Sequence, residues 1–113
     1  MKSAKPFLEH ILASIGIIGD YLEGKSFDDF AEDVGTQDAV MRRMEIIGEA
    51  AKNVPPEFRK RNPGIPWVEM AGMRDMLIHQ YFGVSLRVVW DTAKESLPPL
   101  REKVERLLKD WKE

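Results

Sequence analysis

Arg74, His79 and Tyr81 stand within one stretch, Met73-Arg74-Asp75-Met76-Leu77-Ile78-His79-Gln80-Tyr81-Phe82-Gly83. Arginine keeps its charge and offers a fork of donors that matches phosphate oxygens. Histidine titrates near neutrality and can take a proton from a ribose hydroxyl or give one to a leaving oxygen. Together they could cleave a phosphodiester without a metal. The same residues have a plain structural reading, in which His79 is a hydrogen-bonded core histidine and Arg74 bridges helices at the surface. Their types and spacing alone leave both readings open.

Helical phase sharpens the question. At ~100° per residue, Arg74 and Tyr81 project from nearly the same side of a helix, whereas His79 lies roughly 140° around from Arg74 and about 7.5 Å along the axis. Arg74 and His79 are therefore poorly placed for each other within one straight helix. They converge on a large group if the helix end unwinds near His79, or if a second copy of the helix packs against the first. A composite site in a symmetric dimer satisfies the geometry.

The elements that would carry this segment read as helices throughout. Phe7, Leu8, Ile11, Leu12, Ile15, Ile18 and Leu22 keep the three-and-four spacing of one face, with Pro6 suited to the first turn and Gly24 to the stop. Gly16 and Gly19 within it suggest close contact with a neighbouring helix. Ser26 and Asp29 form a capping box with a shorter acid, opening a brief helix through Phe27, Phe30 and Val34. Thr36 is the candidate cap of a second long helix, about Gln37 to Val54, whose Gly48 and Ala51 would let another backbone approach. Pro55-Pro56 ends it, and 57–64 is a polar connector with room for a short helical turn. A third long helix starts at Pro66-Trp67 and is expected to end at Gly83. Ser85 caps a fourth, whose apolar phase runs from Leu86 to Trp111 with a kink or brief break near Pro98-Pro99. The expectation is all-α: an antiparallel four-helix-type bundle with an extra short helix, in one domain spanning 1–113.

Composition narrows the classes. The 113 residues are 43% hydrophobic and 32% charged, as in a folded globular domain. No apolar run approaches the ~20 residues of a membrane span, and the opening helix, dotted with Glu9, His10 and Asp20, lacks the apolar core of a signal peptide. A cytoplasmic protein without membrane association is expected. The absence of cysteine excludes disulfides, thiolate metal sites and cysteine nucleophiles. A net charge of −2 argues against a strongly basic nucleic-acid coat. It leaves open a local site to which Arg42-Arg43, Arg59-Lys60-Arg61, Arg74 and Arg87 could contribute. The methionines read as core or interface packing and not as a cofactor site.

The pattern Arg-x4-His-x-Tyr, here Arg74, His79 and Tyr81, resembles the signature of HepT-like toxins, whose wider superfamily, HEPN, shares the Arg-x4-His part. Ile46-Ile47-Gly48-Glu49-Ala50-Ala51, Ile65-Pro66-Trp67, Met73-Arg74-Asp75 and Tyr81-Phe82-Gly83-Val84 resemble that family in order. So do the Phe7-Leu8 helix, Ser26–Phe30 and the Leu97-Pro98 region. The resemblance implies a homodimeric helical bundle with two Arg-x4-His motifs in one cleft. It also implies a metal-independent endoribonuclease, without cofactor, serving as the toxin of a type VII toxin–antitoxin pair. The implied partner is a minimal nucleotidyltransferase antitoxin that attaches AMP to the motif tyrosine, Tyr81. On this reading Arg74 binds phosphate and stabilises the transition state, and His79 is the general acid–base. Asp75 and Glu49 support them: Asp75 orients His79 or Arg74, or is a helix-surface acid, and Glu49 pairs with an arginine of the site or makes a structural salt bridge. His10 is read as non-catalytic. Two competing readings remain: a non-catalytic helical binding subunit of a nucleotidyltransferase, and a plain dimerisation module.

Overall fold

The computed structural model describes residues 3–80 and 83–111. Its described residues form α1 (Lys5–Leu22), α2 (Phe27–Ala31), α3 (Val34–Asn53), α4 (Pro56–Arg61), α5 (Trp67–His79), α6 (Leu86–Asp91) and α7 (Leu97–Lys109), with a π-helical turn at Thr92–Ser96 joining α6 to α7. This is the all-α bundle that the periodicity implies. Its long members are α1, α3, α5 and the compound α6–α7 helix.

The helix ends follow local chemistry. Pro6 lies in the first turn of α1, and the chain leaves its far end through Gly24 at φ 73°, a left-handed conformation that glycine adopts without penalty. Ser26 and Asp29 close the capping box, with Ser26 N donating to Asp29 Oδ2 at 2.9 Å and Asp29 N to Ser26 Oγ at 3.1 Å. The cap of α3 is Asp33 and not Thr36: Asp33 Oδ1 accepts from Thr36 N at 3.1 Å while its Oδ2 accepts from the Thr36 hydroxyl at 2.6 Å. Thr36 is thus the third helical residue, the customary target of an N-cap side chain. At the other end of α2, the buried Gln37 amide donates to Phe30 O and Ala31 O and satisfies carbonyls that the short helix leaves free. Helix α5 ends at His79, four residues before the expected stop at Gly83.

Helix α3 is the hub, packing along α1 on one flank and α5 on another, while α7 lies on α1 and α2 bridges α3 and α6. The core collects Leu8, Ile11, Ile15 and Ile18 of α1, Val40, Met44 and Ile47 of α3, and Leu97, Leu100 and Val104 of α7. Phe30 is fully buried against Trp90, their rings 5.5 Å apart. Gly48 sets the α3–α5 spacing. A methyl group there would collide with Arg74 Cβ and stand 2.6 Å from Met70 O. Gly16 and Gly19 do the opposite of what was expected. Nothing lies within 4 Å of where their side chains would be, so no described residue uses the space they leave.

The break near the proline pair falls just ahead of it. Pro98 and Pro99 lack the N–H groups that would bond the carbonyls of Lys94 and Glu95 in an α-helix. Those carbonyls lie inside the π turn, which Leu97 N closes onto Thr92 O. Thr92 Oγ1 also donates to Val88 O at 2.7 Å.

Two tests follow from this packing. Gly48→Ala gains about 1 kcal/mol of helix propensity but forces α3 and α5 apart, and overpacking of this kind costs about 1–3 kcal/mol. Denaturant unfolding should therefore show no gain in stability, and a clear gain would refute the close contact. Asp29 and Asp33 are held below the ordinary 3.8, the first mainly by the Ser26 backbone N–H and the second mainly by the Thr36 hydroxyl. Their stabilising contribution is complete above 3.8 and is lost as pH falls through the lowered values. Asp33→Asn keeps a capping oxygen without a titrating one, so its acid unfolding should be less steep than the parent's.

Candidate functional site

Arg74 leaves α5 beside Gly48 and turns along α3. Its Nε lies 3.0 Å from Glu49 Oε2, and its Nη1 donates to Asp75 Oδ1 at 2.9 Å. The Nε hydrogen is not aligned on an acceptor, so the Glu49 contact is an ion pair and not a hydrogen bond. Glu49 is itself held by Asn53, whose Nδ2 donates to Glu49 O at 2.8 Å and approaches Oε1 at 3.3 Å. Lys52 Nζ reaches Asp75 Oδ1 at 3.2 Å. The last turns of α3 thus frame the arginine through Glu49, Lys52 and Asn53, residues three and four apart on one face. Arg74 side-chain exposure is 24%, so the guanidinium is shielded yet reachable.

The charges reinforce one another. The Arg74 guanidinium is driven above its usual value, chiefly by the hydrogen bond to Asp75 and further by the carboxylates of Glu49 and Glu45. The Asp75 carboxyl is held below the usual carboxylate range, first by Arg74 and then by Lys52. Each group thus favours the charged form of the other, and Arg74 already has a carboxylate at its Nη1.

A groove of about 290 Å³ opens beside Arg74, walled by Phe7 and His10 of α1, Arg42, Glu45, Ile46, Glu49 and Asn53 of α3, and Ile78 of α5. His79 is not part of its wall. It is the last residue of α5 and exposed, and its side chain makes no hydrogen bond or ion pair with the described residues. Arg74, Asp75 and Glu49 are brought together within one chain, and His79 is not joined to them; helical phase keeps it away from Arg74, although Asp75 is one turn before it. Tyr81 lies outside the described residues. His10, set aside on sequence grounds, shares the groove with Arg74, and Arg42 joins them. Neither carries a sequence signal that ties it to Arg74, because the connection is made only when α1 and α3 pack. Of the other cations, Arg87 lies over the Phe27 ring at 4.2 Å and Arg59 lines a separate groove with Lys103, so the basic residues do not converge on one face.

The uncovered side of α5 has a definite composition. Val68, Gly72, Asp75 and His79 fall in one row at spacings of four, three and four. Val68 is 80% exposed, and nothing approaches the position of a Gly72 side chain. Apolar residues recur around the whole of α5, yet among the described residues it packs closely along α3 alone. Toward α7 it borders an apolar groove lined by Met44, Met70, Met73 and Leu97. Among the described residues no cluster of three histidine, aspartate or glutamate side chains could hold a metal ion, and no helix is long and apolar enough to cross a membrane.

Comparison with known proteins agrees with the resemblance in the motif. The family described as "Ribonuclease HepT-like" matches residues 11–107. A protein of Thermococcus cleftensis named "Probable ribonuclease HepT" is 51% identical over 108 residues, covering 96% of this chain and 98% of its own. One from Caldanaerobacter subterraneus subsp. tengcongensis named "Putative RNase TTE0752" is 46% identical over 112 residues, covering 99% of this chain and all of its own. No solved structure matches significantly. With a family match across nearly the whole chain and relatives of similar length and fold-determining sequence, the chain belongs to the HepT-like ribonuclease family.

Proposed function

We propose that the protein is a metal-independent endoribonuclease whose active site is completed by a second copy of the chain, and that it serves as the toxin of a type VII toxin–antitoxin pair. The observation that carries this reading is the division of the motif. Arg74 is fixed against α3 by Glu49 and Asp75, while His79 stands exposed at the end of α5. The open row Val68–Gly72–Asp75–His79 offers a surface on which a second α5 can lie, and a two-fold arrangement there would place two such motifs in one cleft. Family membership supports the ribonuclease assignment.

The chemistry follows from the residue types. The ribose 2′-oxygen attacks the adjacent phosphorus as His79 takes its proton, and the bond to the 5′-oxygen breaks as that oxygen receives a proton. The products are a cyclic phosphate and a free 5′-hydroxyl. Arg74 stabilises the charge that accumulates on the phosphoryl oxygens. Control would fall on Tyr81: its phenolic oxygen attacks the α-phosphorus of ATP on a partner nucleotidyltransferase, pyrophosphate leaves, and the phenolic proton passes to solvent. The AMP so attached adds an anionic group to the motif. Because two carboxylates already occupy Arg74, a second reading is a non-catalytic binding subunit of that nucleotidyltransferase, which forms the complex and cleaves nothing.

Purified parent, Arg74→Ala and His79→Ala proteins incubated with RNA decide between these readings. Each substitution should lower cleavage by about 100-fold or more, whereas equal cleavage by all three would mark a contaminating nuclease. Size-exclusion chromatography with light scattering should give a dimer, and a monomer that retains full activity would remove the composite site. Incubation with the cognate nucleotidyltransferase and ATP should add one AMP to Tyr81 by mass spectrometry. An adduct that persists in Tyr81→Phe would move the modification elsewhere.

A further inference from the structure

Arg74 shares Asp75 with a second cation. Lys52 Nζ and Arg74 Nη1 address the same oxygen, Asp75 Oδ1, at 3.2 and 2.9 Å. The two nitrogens are therefore no further apart than those distances laid end to end, about 6 Å. Two cations that converge on one carboxylate oxygen also fit the non-bridging oxygens of a phosphodiester, which accept from guanidinium and ammonium alike. The side chains of Lys52 and Asp75 are 41% and 47% exposed, so both can turn without disturbing the core. Glu49 reaches Arg74 at Nε, on another edge of the guanidinium, and can go on holding it when Asp75 leaves. The neighbouring pair Arg42–Glu45 offers nothing comparable: both residues lie on α3, and Arg42 is 69% exposed.

We propose that Lys52 is a phosphate ligand of the site and that Asp75 is its placeholder. The Arg74–Lys52 pair binds a phosphodiester of the RNA where Asp75 Oδ1 stands in the free protein. The inference rests on the ribonuclease reading and adds a residue of α3 to its substrate contacts. Displacing Asp75 gives up surface ion pairs, which contribute little in water, and releases a carboxylate onto the open row of α5. Lys52 and Asp75 are 23 positions apart in the chain, so the contact exists only because Gly48 lets α5 lie close to α3.

Fluorescence anisotropy with a 2′-O-methyl oligoribonucleotide, which cannot be cleaved through its 2′-oxygen, separates binding from catalysis. Lys52→Gln should weaken binding about tenfold, the scale of one charge-assisted contact. It should also reduce the slope of log affinity against log salt by about 0.7. Lys60→Gln removes the same charge from α4 and should change neither. A role confined to bracing Asp75 is separated by the Asp75→Asn background, in which Lys52→Gln should still weaken binding. The proposal is overturned if Lys52→Gln binds like the parent, if Lys60→Gln loses as much, or if the effect of Lys52→Gln vanishes in Asp75→Asn. A parent that cleaves RNA in an Arg74-dependent way while Lys52→Gln binds normally removes this proposal and leaves the ribonuclease reading. A parent that neither binds nor cleaves RNA removes both.

Discussion

The contact between Gly48 and the Arg74–Met70 segment is the constraint from which the rest of the site follows. With no side chain at Gly48, α5 comes close enough for Arg74 Cβ to rest on the α3 backbone. From there the guanidinium meets Glu49, the residue after Gly48, while Asp75, one position on from Arg74, meets Lys52. A wider separation would take these four groups out of one another's reach. Close packing of backbones thus supplies the order that the ion pairs could not supply themselves.

The arrangement also fixes one arginine in a chain whose net charge is −2. Placing one arginine between two carboxylates keeps it desolvated only in part and fixes its plane, while its one side-chain hydrogen bond among the described residues, Nη1 to Asp75, leaves other donors of the guanidinium open. The partly covered α5 belongs to the same description, since apolar residues recur around it beside Asp75 and His79 while among the described residues it packs closely along α3 alone.

Much of this was legible in the sequence, for identifiable reasons. The 3.6-residue period placed Leu8, Ile11, Ile15 and Ile18 on one buried face and also showed that Arg74 and His79 diverge. Gly48 was read as a point of close approach, and the structure agrees, whereas Gly16 and Gly19 were read the same way and stand open. A glycine in a helical pattern reports that a side chain is missing but not which side a neighbour occupies. Thr36 and Asp33 are both competent caps, and only the course of the backbone selects the acid. Glu49, in an apolar helix, is expected either to pair with an arginine of the site or to make a structural salt bridge, and it lies against Arg74. His10, Asn53 and Lys52 gave no such signal, because their link to Arg74 or Asp75 depends on how three helices pack rather than on spacing along any one of them.

The π turn at Thr92–Ser96 bears on how this family can change over time. A π turn holds one residue more than the α turn it replaces, and here it sits between two helical segments that each keep their buried face, Val89 before it and Leu97, Leu100 and Val104 after it. Loss of a single residue within Thr92–Ser96 would restore α-helical spacing and leave α7 facing the core once Pro98 and Pro99, which cannot donate to the preceding turn, were also replaced. The segment is thus a place where chain length can drift by one while the hydrophobic face stays in register. A gap there, in an alignment of descendants, would record slack in the backbone and not a change of fold.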